Sequence, residues 1–502
     1  MIILLIIIFS ALIFYLLKKN YEYWEKRGVP GPKPTWFFGN LGENFMMKKS
    51  LVEVYANVYH QYKKYPFVGI FKGVSPMLVV CEPEMIKEIT VKSFQHFHDN
   101  DIEVDKKLDP VLGRNPFVLN GQEWKTVRSQ LTPGFTSGKM KWIYPLLEDT
   151  SNQLVNFISN QPKATNGEGL ESKDLCAKFT LNNVANCAFG LEAKAFTNES
   201  TEFQLIAKKF FESGIIQTLF FGLAQIFPIL LKLIKIKLIP KEIEDRLANI
   251  VTQTLSYRKN NNVVRNDFLH ILSQLKKTCK EYEFTDVDVT AHASGFFIDG
   301  YETSASVMSF VLHELAANGE AQATLREEIV GHFRDNDNKL SYEGLQGLPY
   351  LDAVIQETLR LHSPLFNLAK VCTKSYTYVP KKGDTISKPV LIEKGTPVVI
   401  PVAGIHKDPD FFEEPNEFKP ERFIGDNKEK IVKYSFLPFG EGPRACLGQR
   451  FGTLQVKIGV AHVVKNFKLS VNGKTKMPLE YDPFAIITTP KGGMWIDFEK
   501  IE

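Results

Sequence analysis

The chain has 502 residues, a formal net charge of +4 at pH 7 and 44% hydrophobic residues. This length allows a large core, the ordinary composition excludes a disordered chain, and the small net charge gives no argument for nucleic acid as a partner. The cysteines are widely scattered, with no Cys-x-x-Cys pair and no dense framework, which suits a reducing compartment. They are Cys81, Cys176, Cys187, Cys279, Cys372 and Cys446.

The first 17 residues are almost wholly apolar, and Lys18 and Lys19 follow them. A cleaved signal peptide would carry positive charge before the apolar run and a small-residue cleavage site after it. Charge on the far side instead predicts a retained transmembrane anchor over residues 1–20, with the rest of the chain in the cytosol. Because about 20 residues span a bilayer, Tyr21, Tyr23 and Trp24 are expected to extend the anchor at the interface.

A proline-rich stretch follows the anchor, with Pro30, Pro32 and Pro34 close together. These prolines cannot continue a helix, so residues 21–34 are expected to form an interfacial segment and a stiff, extended hinge. An ordinary linker is the alternative interpretation.

Residues 219–240 form a second apolar run, with three lysines and no acid. Pro228 interrupts the run, so it is not expected to span a membrane. Apolar residues interspersed with lysines favour a segment that lies in the headgroup layer, and a buried pair of core helices is the alternative.

Residues 35–502 are expected to form one catalytic domain. Helical periodicities dominate it and strand-like runs are few, so the sequence predicts a mainly α protein with a minor β region, an α+β fold. The predicted helices are Leu51–Lys64, Pro83–Lys92, Gln122–Leu131, Tyr144–Ser159, Asp174–Phe189, Lys241–Asn260, Asp286–Ala317, Glu320–Phe333, Pro349–His362 and Gln449–Asn466. The predicted strands are Phe67–Phe71, Met77–Cys81, Pro397–Pro401 and a run near Met494–Phe498.

One cysteine, Cys446, lies in a glycine-rich loop, Phe439-Gly-Glu-Gly-Pro-Arg-Ala-Cys-Leu-Gly448. A thiolate there could ligate haem iron, and Gly442 and Gly448 would let the backbone lie close to a flat macrocycle. Arg444 could pair with a haem propionate, and Phe439 could cover the thiolate from water. The alternatives are a buried cysteine that acts as a small hydrophobe, and a weak dinucleotide-loop motif that no strand precedes.

The pattern Phe-x-x-Gly-x-Arg-x-Cys-x-Gly resembles the signature of the cytochrome P450 family at every fixed position. Glu357-x-x-Arg360 and Pro420-Glu-Arg422-Phe match two further family motifs, and the resemblance covers nearly the whole chain. It implies the cytochrome P450 fold preceded by one N-terminal membrane anchor. The motifs look most like those of microsomal, insect-like members that oxidise xenobiotics.

The resemblance also implies roles for individual residues. Glu357, Arg360 and Arg422 would brace the cysteine loop from behind. The propionates of haem b would be bound by Trp124 and Arg128 and, at a position where the family usually has arginine, by Lys370. Lysine keeps the charge there but loses the fork geometry of the guanidinium, so this contact is the weaker one.

The segment Asp299-Gly-Tyr-Glu302-Thr303-Ser resembles the central-helix motif of the family. Thr303 and Glu302 would deliver the protons that O–O cleavage needs, and Gly300 would leave room for dioxygen. Asp299 departs from the pattern, which has alanine or glycine there. It is expected either to join the proton relay or to hold local waters and narrow the pocket.

The activity implied is monooxygenation of lipophilic substrates with electrons from NADPH. They would arrive through NADPH–cytochrome P450 reductase, with cytochrome b5 as an optional partner. A basic patch for the reductase is expected at Lys125, Arg128, Lys139, Lys141 and Lys433. The implied location is the endoplasmic reticulum membrane. A haem-thiolate isomerase or dehydratase and a membrane-anchored haem- or lipid-binding protein remain as alternatives, and the intact Glu302-Thr303 pair argues against both.

Overall fold

The computed structural model describes residues 1–164, 166–197, 201–211, 237–278, 284–482, 485 and 487–501. In these ranges the α-helices are α1 (Ile2–Tyr21), α2 (Tyr23–Lys26), α3 (Gly42–Phe45), α4 (Leu51–Tyr62), α5 (Pro83–Lys87), α6 (Gly121–Leu131), α7 (Ser137–Ser159), α8 (Ser172–Phe189), α9 (Glu202–Phe211), α10 (Lys241–Asn260), α11 (Phe268–Thr278), α12 (Asp286–Ala317), α13 (Gly319–Asp335), α14 (Tyr342–Gln346), α15 (Pro349–Leu361), α16 (Val402–His406), α17 (Gly425–Glu429) and α18 (Gln449–Asn466). The strands are β1 (Phe67–Lys72), β2 (Ser75–Val80), β3 (Asp99–Asn100), β4 (Leu170–Glu171), β5 (Leu368–Val371), β6 (Tyr376–Tyr378), β7 (Val390–Ile392), β8 (Pro397–Ile400), β9 (Phe467–Val471) and β10 (Trp495–Lys500).

The mainly helical fold with a minor β region is confirmed, at 56% helix and 10% strand. Helix α7 differs from the prediction, because it begins at Ser137 and runs through Pro145 without stopping. Proline removes only one intrahelical hydrogen bond, and packing of a long apolar face outweighs that loss. Several short strands were not predicted, since two- to four-residue strands carry too few side chains to show a period of two.

The largest sheet has the strand order β1-β2-β8-β5-β3. Its strand β5 pairs with β8 on one side and with β3 on the other. The pairing with β3 sets Lys370 directly opposite Asn100. Two positions that are 270 residues apart in the chain thereby become neighbours at the edge of the sheet.

Helix α12 runs through the larger of two hydrophobic clusters and is buried along most of its 32 residues. It begins with a capping box, in which the Thr285 hydroxyl accepts from the Asp288 N–H and the Asp288 carboxylate accepts from the Thr285 N–H. Such a cap satisfies backbone donors that have no partner within the helix. Helices α8 and α18 pack along α12, so the central helix presents its remaining face to the candidate site.

The hinge segment is packed against the largest sheet. Trp24 is only 3% exposed and its indole N–H donates to the Ile70 carbonyl oxygen at 2.9 Å. The Pro30 carbonyl accepts from the Gly69 N–H at 2.8 Å. Trp24 therefore lies inside the protein and not at a membrane interface, because its ring is needed to cover β1. The expected division of the chain at residues 20 and 34 stays a prediction.

Helix α1 has no buried residue, and among the described residues it is the one helix long and apolar enough to cross a membrane. The ring of Phe14 on this helix lies 5.1 Å from that of Trp36, in the turn that follows the hinge segment. The second predicted membrane contact, residues 219–240, lies outside the described residues except for 237–240.

Candidate active site

The cysteine loop is folded around two glycines with left-handed backbone. Gly440 has φ +70° and Gly442 has φ +72°, and a Cβ on Gly442 would lie 2.0 Å from the Thr90 carbonyl oxygen. Glycine is therefore required at residue 442 by close packing against residue 90, and the expected place of Gly442 beside a macrocycle stays a prediction. The Cys446 N–H donates to the Phe439 carbonyl at 2.8 Å and closes the loop.

The Cys446 side chain is exposed, whereas the other four described cysteines are buried. Burial of the surrounding loop nevertheless raises the pKa of the Cys446 thiol, while backbone N–H groups of Gly448 and Gln449 lower it. An accessible yet desolvated sulfur lines an internal chamber and not the outer surface. The N–H donors belong to the start of helix α18, which stabilises negative charge on the sulfur.

A buried ion-pair network lies behind the loop. The Glu357 carboxylate accepts two hydrogen bonds from the Arg360 guanidinium, at 2.7 and 2.8 Å, and both side chains are fully buried. Arg422 donates to Glu357 at 3.2 Å. Arg360 also donates to the carbonyls of His406 and Pro415, so the network joins helix α15 to the segment that leads to the loop. These residues form the cluster that their motifs predicted.

His406 extends this network directly to the cysteine loop. Its Nε2 accepts from the backbone N–H of Leu437 at 2.8 Å, and its Nδ1 lies 3.2 Å from the Arg360 carbonyl oxygen. Burial lowers the pKa of His406 to about 3, so the imidazole is neutral. Nδ1 must then carry the proton, since Nε2 is an acceptor. This contact is not predictable from the sequence, because His406 and Leu437 lie 31 residues apart in the chain.

Trp124 and Arg444 are brought together above the loop. The guanidinium of Arg444 lies 4.0 Å from the centre of the Trp124 ring. It also donates to the carbonyls of His98, Pro116 and Leu119 and to the Asp99 carboxylate. Arg444 is thus largely satisfied by protein acceptors, with one N–H left for another ligand.

Arg128 is placed differently from Arg444. No acceptor for its guanidinium occurs among the described residues, although burial lowers its pKa and the charge of Cys446 acts on it. A half-buried cation without an acceptor is costly unless an anion approaches it. Arg128 therefore marks a place for a negatively charged group near Cys446.

Lys370 donates to the Asn100 side chain at 2.7 Å. Burial lowers the pKa of Lys370 to about 7, and the charge of Arg444 lowers it further while that of Asp99 raises it. Lys370 is thus within electrostatic reach of Arg444, but its ammonium is taken by an amide oxygen. The pairing with Asn100 was not predictable from sequence, because no motif links the two positions.

Three polar residues of helix α12 have distinct environments. Thr303 donates from Oγ1 to the Asp299 carbonyl oxygen at 2.6 Å, and its hydroxyl is accessible. Glu302 accepts from Lys173 at 2.6 Å in an ion pair whose side chains are 14% and 17% exposed. The Asp299 carboxylate accepts from the Asn115 amide at 2.9 Å, and burial raises the pKa of Asp299 to about 6.

Gly300 does not open space beside the chamber as expected. A Cβ at this position would meet Val184 at 3.1 Å and Phe451 at 3.4 Å, on the helices that pack behind α12. The Gly300 carbonyl also accepts from Gln455 at 2.9 Å. The glycine serves close helix packing, because the backbone of α12 approaches α8 and α18 at this residue.

The residues present fit haem. The Cys446 thiol is accessible on the inner side of its loop and receives N–H donors, as a thiolate ligand requires. Arg128 lacks an acceptor among the described residues and could bind a propionate. A Cβ added at Gly448 would meet no atom within 4 Å, so nothing in the described structure fills the space at the end of the loop.

Comparison with known proteins is consistent with this site. The family model for cytochrome P450 matches residues 29–496. The chain is 36% identical to Probable cytochrome P450 28a5 of Drosophila melanogaster, covering 98% of this chain and 97% of that protein. It is 34% identical to cytochrome P450 6a2 of the same species, covering 99% of each chain, and 34% identical to cytochrome P450 9e2 of Blattella germanica, covering 98% and 96%.

Proteins of this family are haem monooxygenases in which a cysteine thiolate ligates the iron, and they act on xenobiotics or endogenous compounds. The match extends over nearly the full length of the relatives. The chain belongs to the cytochrome P450 family.

Proposed function

We propose that this protein is a membrane-anchored monooxygenase of the endoplasmic reticulum that inserts one atom of O2 into lipophilic small molecules. The second oxygen atom leaves as water, and NADPH supplies two electrons through NADPH–cytochrome P450 reductase, with cytochrome b5 as an optional partner. The observation that carries this proposal is the accessible Cys446 thiol within electrostatic reach of Asp299, one turn from the Thr303 hydroxyl.

Cys446 is the residue proposed to bind the haem iron through its thiolate, and its sulfur accepts from the N–H groups of Gly448 and Gln449. Haem b, when bound, would supply the activation of O2, which thiolate ligation favours. Arg128 is the proposed main propionate ligand, with Trp124, Arg444 and Lys370 as further proposed ligands. Phe439 closes the loop, while Gly442 fixes its turn.

Proton delivery is proposed for Thr303, whose hydroxyl is accessible and anchored by the Asp299 carbonyl. The pKa of Asp299, about 6, allows its carboxyl to change protonation near neutral pH. Glu302 is held by Lys173, so it could pass protons only when that ion pair opens. Thr303 and Asp299 are thus the better supported of the three expected catalytic residues.

The proposed partners have different support. Helix α1 supports membrane anchoring by its length, its apolarity and its lack of buried residues. Of the expected basic patch, Lys125 and Lys433 are exposed, Lys139 lies over the Trp142 ring, and Lys141 is paired with Glu343. Arg128 is half-buried, and the charge of Cys446 acts on it. We therefore propose Lys125 and Lys433 for contact with an acidic reductase surface and leave Arg128 to the cofactor.

Reconstitution with a reductase, NADPH and broad lipophilic substrates tests the activity. A carbon monoxide difference spectrum of the reduced protein tests the ligand, and a strongly red-shifted Soret band is expected. Cys446→Ser should abolish that shift, whereas Cys187→Ala, which removes a cysteine buried elsewhere, should keep it. A folded, haem-loaded wild-type protein without the shift would overturn the assignment of Cys446.

The proton-delivery role has its own test. Thr303→Ala should lower product formed per NADPH consumed, and Thr303→Ser should restore it because the hydroxyl is kept. Ser304→Ala, at the adjacent buried hydroxyl, is the matched control. Oxygen-independent rearrangement of peroxides without a reductase would instead favour an isomerase or dehydratase.

Membrane topology is tested by glycosylation at Asn198-Glu199-Ser200, a sequon outside the described residues. A cytosolic catalytic domain leaves this site bare. Glycosylation of the full-length chain would contradict the proposed orientation.

A further inference from the structure

The carboxylate of Asp299 is accessible to the chamber beside Cys446 and has no cationic partner among the described residues. Two other acids on helix α12, Asp288 and Glu302, each have a basic partner from a neighbouring segment. Asp288 accepts from the Arg114 guanidinium at 3.0 Å, and Glu302 pairs with Lys173 at 2.6 Å. The described part of the fold thus provides a cation for the acids on either side and none for Asp299.

Asn115 holds the Asp299 carboxylate in a defined orientation. The Asn115 side chain is 4% exposed, and its Oδ1 accepts from the Phe117 N–H at 2.8 Å. Its amide nitrogen must then face Asp299, to which it donates at 2.9 Å. Gly295, one turn earlier on the helix, leaves the space for this amide, because a Cβ there would lie 3.2 Å from Nδ2.

This arrangement satisfies only one carboxylate oxygen. Asn115 donates to Oδ2, and no donor to Oδ1 is found in the described structure. A desolvated carboxylate oxygen without a donor is unfavourable, and a ligand that brings a charged N–H relieves that cost. The burial of the carboxyl and its accessibility from the chamber therefore favour a ligand over bulk solvent as the partner.

The carboxylate is also placed where a substrate would be oxidised. The hydroxyl of Thr303, the proposed proton donor, donates a hydrogen bond to the backbone carbonyl of Asp299. The charge of Asp299 raises the pKa of the Cys446 thiol, so the two side chains lie within electrostatic reach of each other. A ligand group bound to Oδ1 would hold the rest of the molecule beside the reacting centre.

We propose that the Asp299 carboxylate, oriented by Asn115, binds the protonated nitrogen of lipophilic amine substrates and so selects them over neutral lipophiles. This inference rests on the proposed monooxygenase function and names its substrate class. A pure proton-relay role for Asp299 is a different outcome, because it would change the product yield for every substrate without a preference in binding.

The test uses the full-length, haem-loaded protein and two ligands of matched shape. N,N-dimethyl-4-phenylbutylamine carries a cationic nitrogen, and (5-methylhexyl)benzene has a CH group in its place. Binding constants are measured by equilibrium dialysis at pH 7.5 for wild type, Asp299→Asn and Glu302→Gln. For each ligand, the binding constant of the variant is divided by that of the wild type. This ratio cancels differences in partitioning between the two compounds.

Asp299→Asn should weaken binding of the amine by about 10-fold or more, as expected for loss of a charge-assisted hydrogen bond. The same substitution should change the affinity for the hydrocarbon by less than about 3-fold. Glu302→Gln, which removes a charge that Lys173 already neutralises, should leave the ratio of the two affinities unchanged. Asn115→Leu should also weaken amine binding, because the carboxylate loses its orienting donor.

An equal loss of affinity for both ligands in Asp299→Asn, or no loss of affinity for either, would overturn the proposal. The carbon monoxide spectrum and oxidation of the hydrocarbon are recorded on the same samples. If wild type shows the thiolate spectrum and oxidises the hydrocarbon without amine selectivity, the inference fails alone. If both signals are absent, the proposed function itself fails.

Discussion

The imidazole Nε2 of His406 accepts a hydrogen bond from the backbone N–H of Leu437 at 2.8 Å. Arg360 donates to the His406 carbonyl. The hydrogen bond between His406 and Leu437 therefore connects the buried Glu357–Arg360 pair to the segment that enters the cysteine loop. The position of Cys446 therefore depends on a neutral histidine that lies far from the sulfur along the chain.

Replacing His406 tests this connection. His406→Leu should destabilise the protein by about 1–3 kcal/mol, because the buried Leu437 N–H loses its acceptor. His406→Gln can present an oxygen near the position of Nε2 and should recover much of that loss. Chemical unfolding measures the stability, and the red-shifted carbon monoxide band reports on the loop. Equal behaviour of the two variants would contradict the proposed link.

His406 also predicts acid sensitivity. Its folded pKa, about 3, lies below the ordinary value of 6.5, so the unfolded chain binds the proton more tightly. The stability contributed by neutral His406 is complete above pH 6.5 and is lost progressively as the pH falls toward 3. His406→Gln should therefore flatten the decline of unfolding free energy between pH 6.5 and 4. An unchanged decline would show that other groups account for it.

Glu357→Gln removes the charge at the centre of the buried network. Arg360 would remain as an uncompensated buried cation, so a loss of about 3–5 kcal/mol and poor haem incorporation are expected. Glu343→Gln is the matched control, because its pair with Lys141 is well exposed and screened by solvent, so its loss should change the stability little. Similar losses from the two substitutions would show that the buried network has no special weight.

Arg128 and Arg444 should respond differently to replacement. Arg444→Gln breaks contacts with several carbonyls and should destabilise the protein with or without haem. Arg128→Gln removes a cation that has no acceptor in the described structure, so the haem-free protein should keep its stability. Haem should leave the Arg128 variant about 10-fold faster, measured by transfer to an excess of a haem-acceptor protein. Unchanged haem loss would remove Arg128 from the cofactor site.

Removing the charge of Asp299 should stabilise the protein in a pH-dependent way. Burial raises its folded pKa to about 6, above the ordinary 3.8, so the native state favours the protonated form. Below pH 3.8 the carboxyl is protonated in both the folded and the unfolded state, so it does not affect the free energy of unfolding. As the pH rises from 3.8 to 6, ionisation of Asp299 lowers that free energy progressively. Asp299→Asn should therefore raise Tm relative to wild type at pH 8 and have little effect at pH 4. Asp245→Asn, on an exposed part of helix α10, serves as the control.

Deleting residues 2–18 tests the anchor. No residue of helix α1 is buried, so the truncated protein should keep its Tm within a few degrees and its carbon monoxide spectrum. It should also become extractable from membranes at high pH, whereas the full chain should not. Retention of the truncated protein in membranes would locate the main attachment elsewhere in the chain.

Local patterns made much of the site predictable. The Phe439–Gly448 motif, Glu357-x-x-Arg360 and the spacing of Trp124 and Arg128 each lie within one helix or loop, where neighbours in sequence are neighbours in space. Contacts between distant segments were not predictable in this way. Asn100 meets Lys370 only through the pairing of β3 with β5, and Asn115 meets Asp299 only because its segment packs on α12.

The sequence by itself determined the family, the candidate thiolate and an apolar N-terminal helix, because each rests on residue types at fixed local spacing. Tertiary structure alone decided which cations are free. Arg444 is taken by carbonyls and an acid, Lys370 by an amide and Lys173 by Glu302, while Arg128 is left for an anion. Among the described residues it likewise left the Asp299 carboxylate without a cation, since charge pairing depends on which segments the fold brings within hydrogen-bond distance.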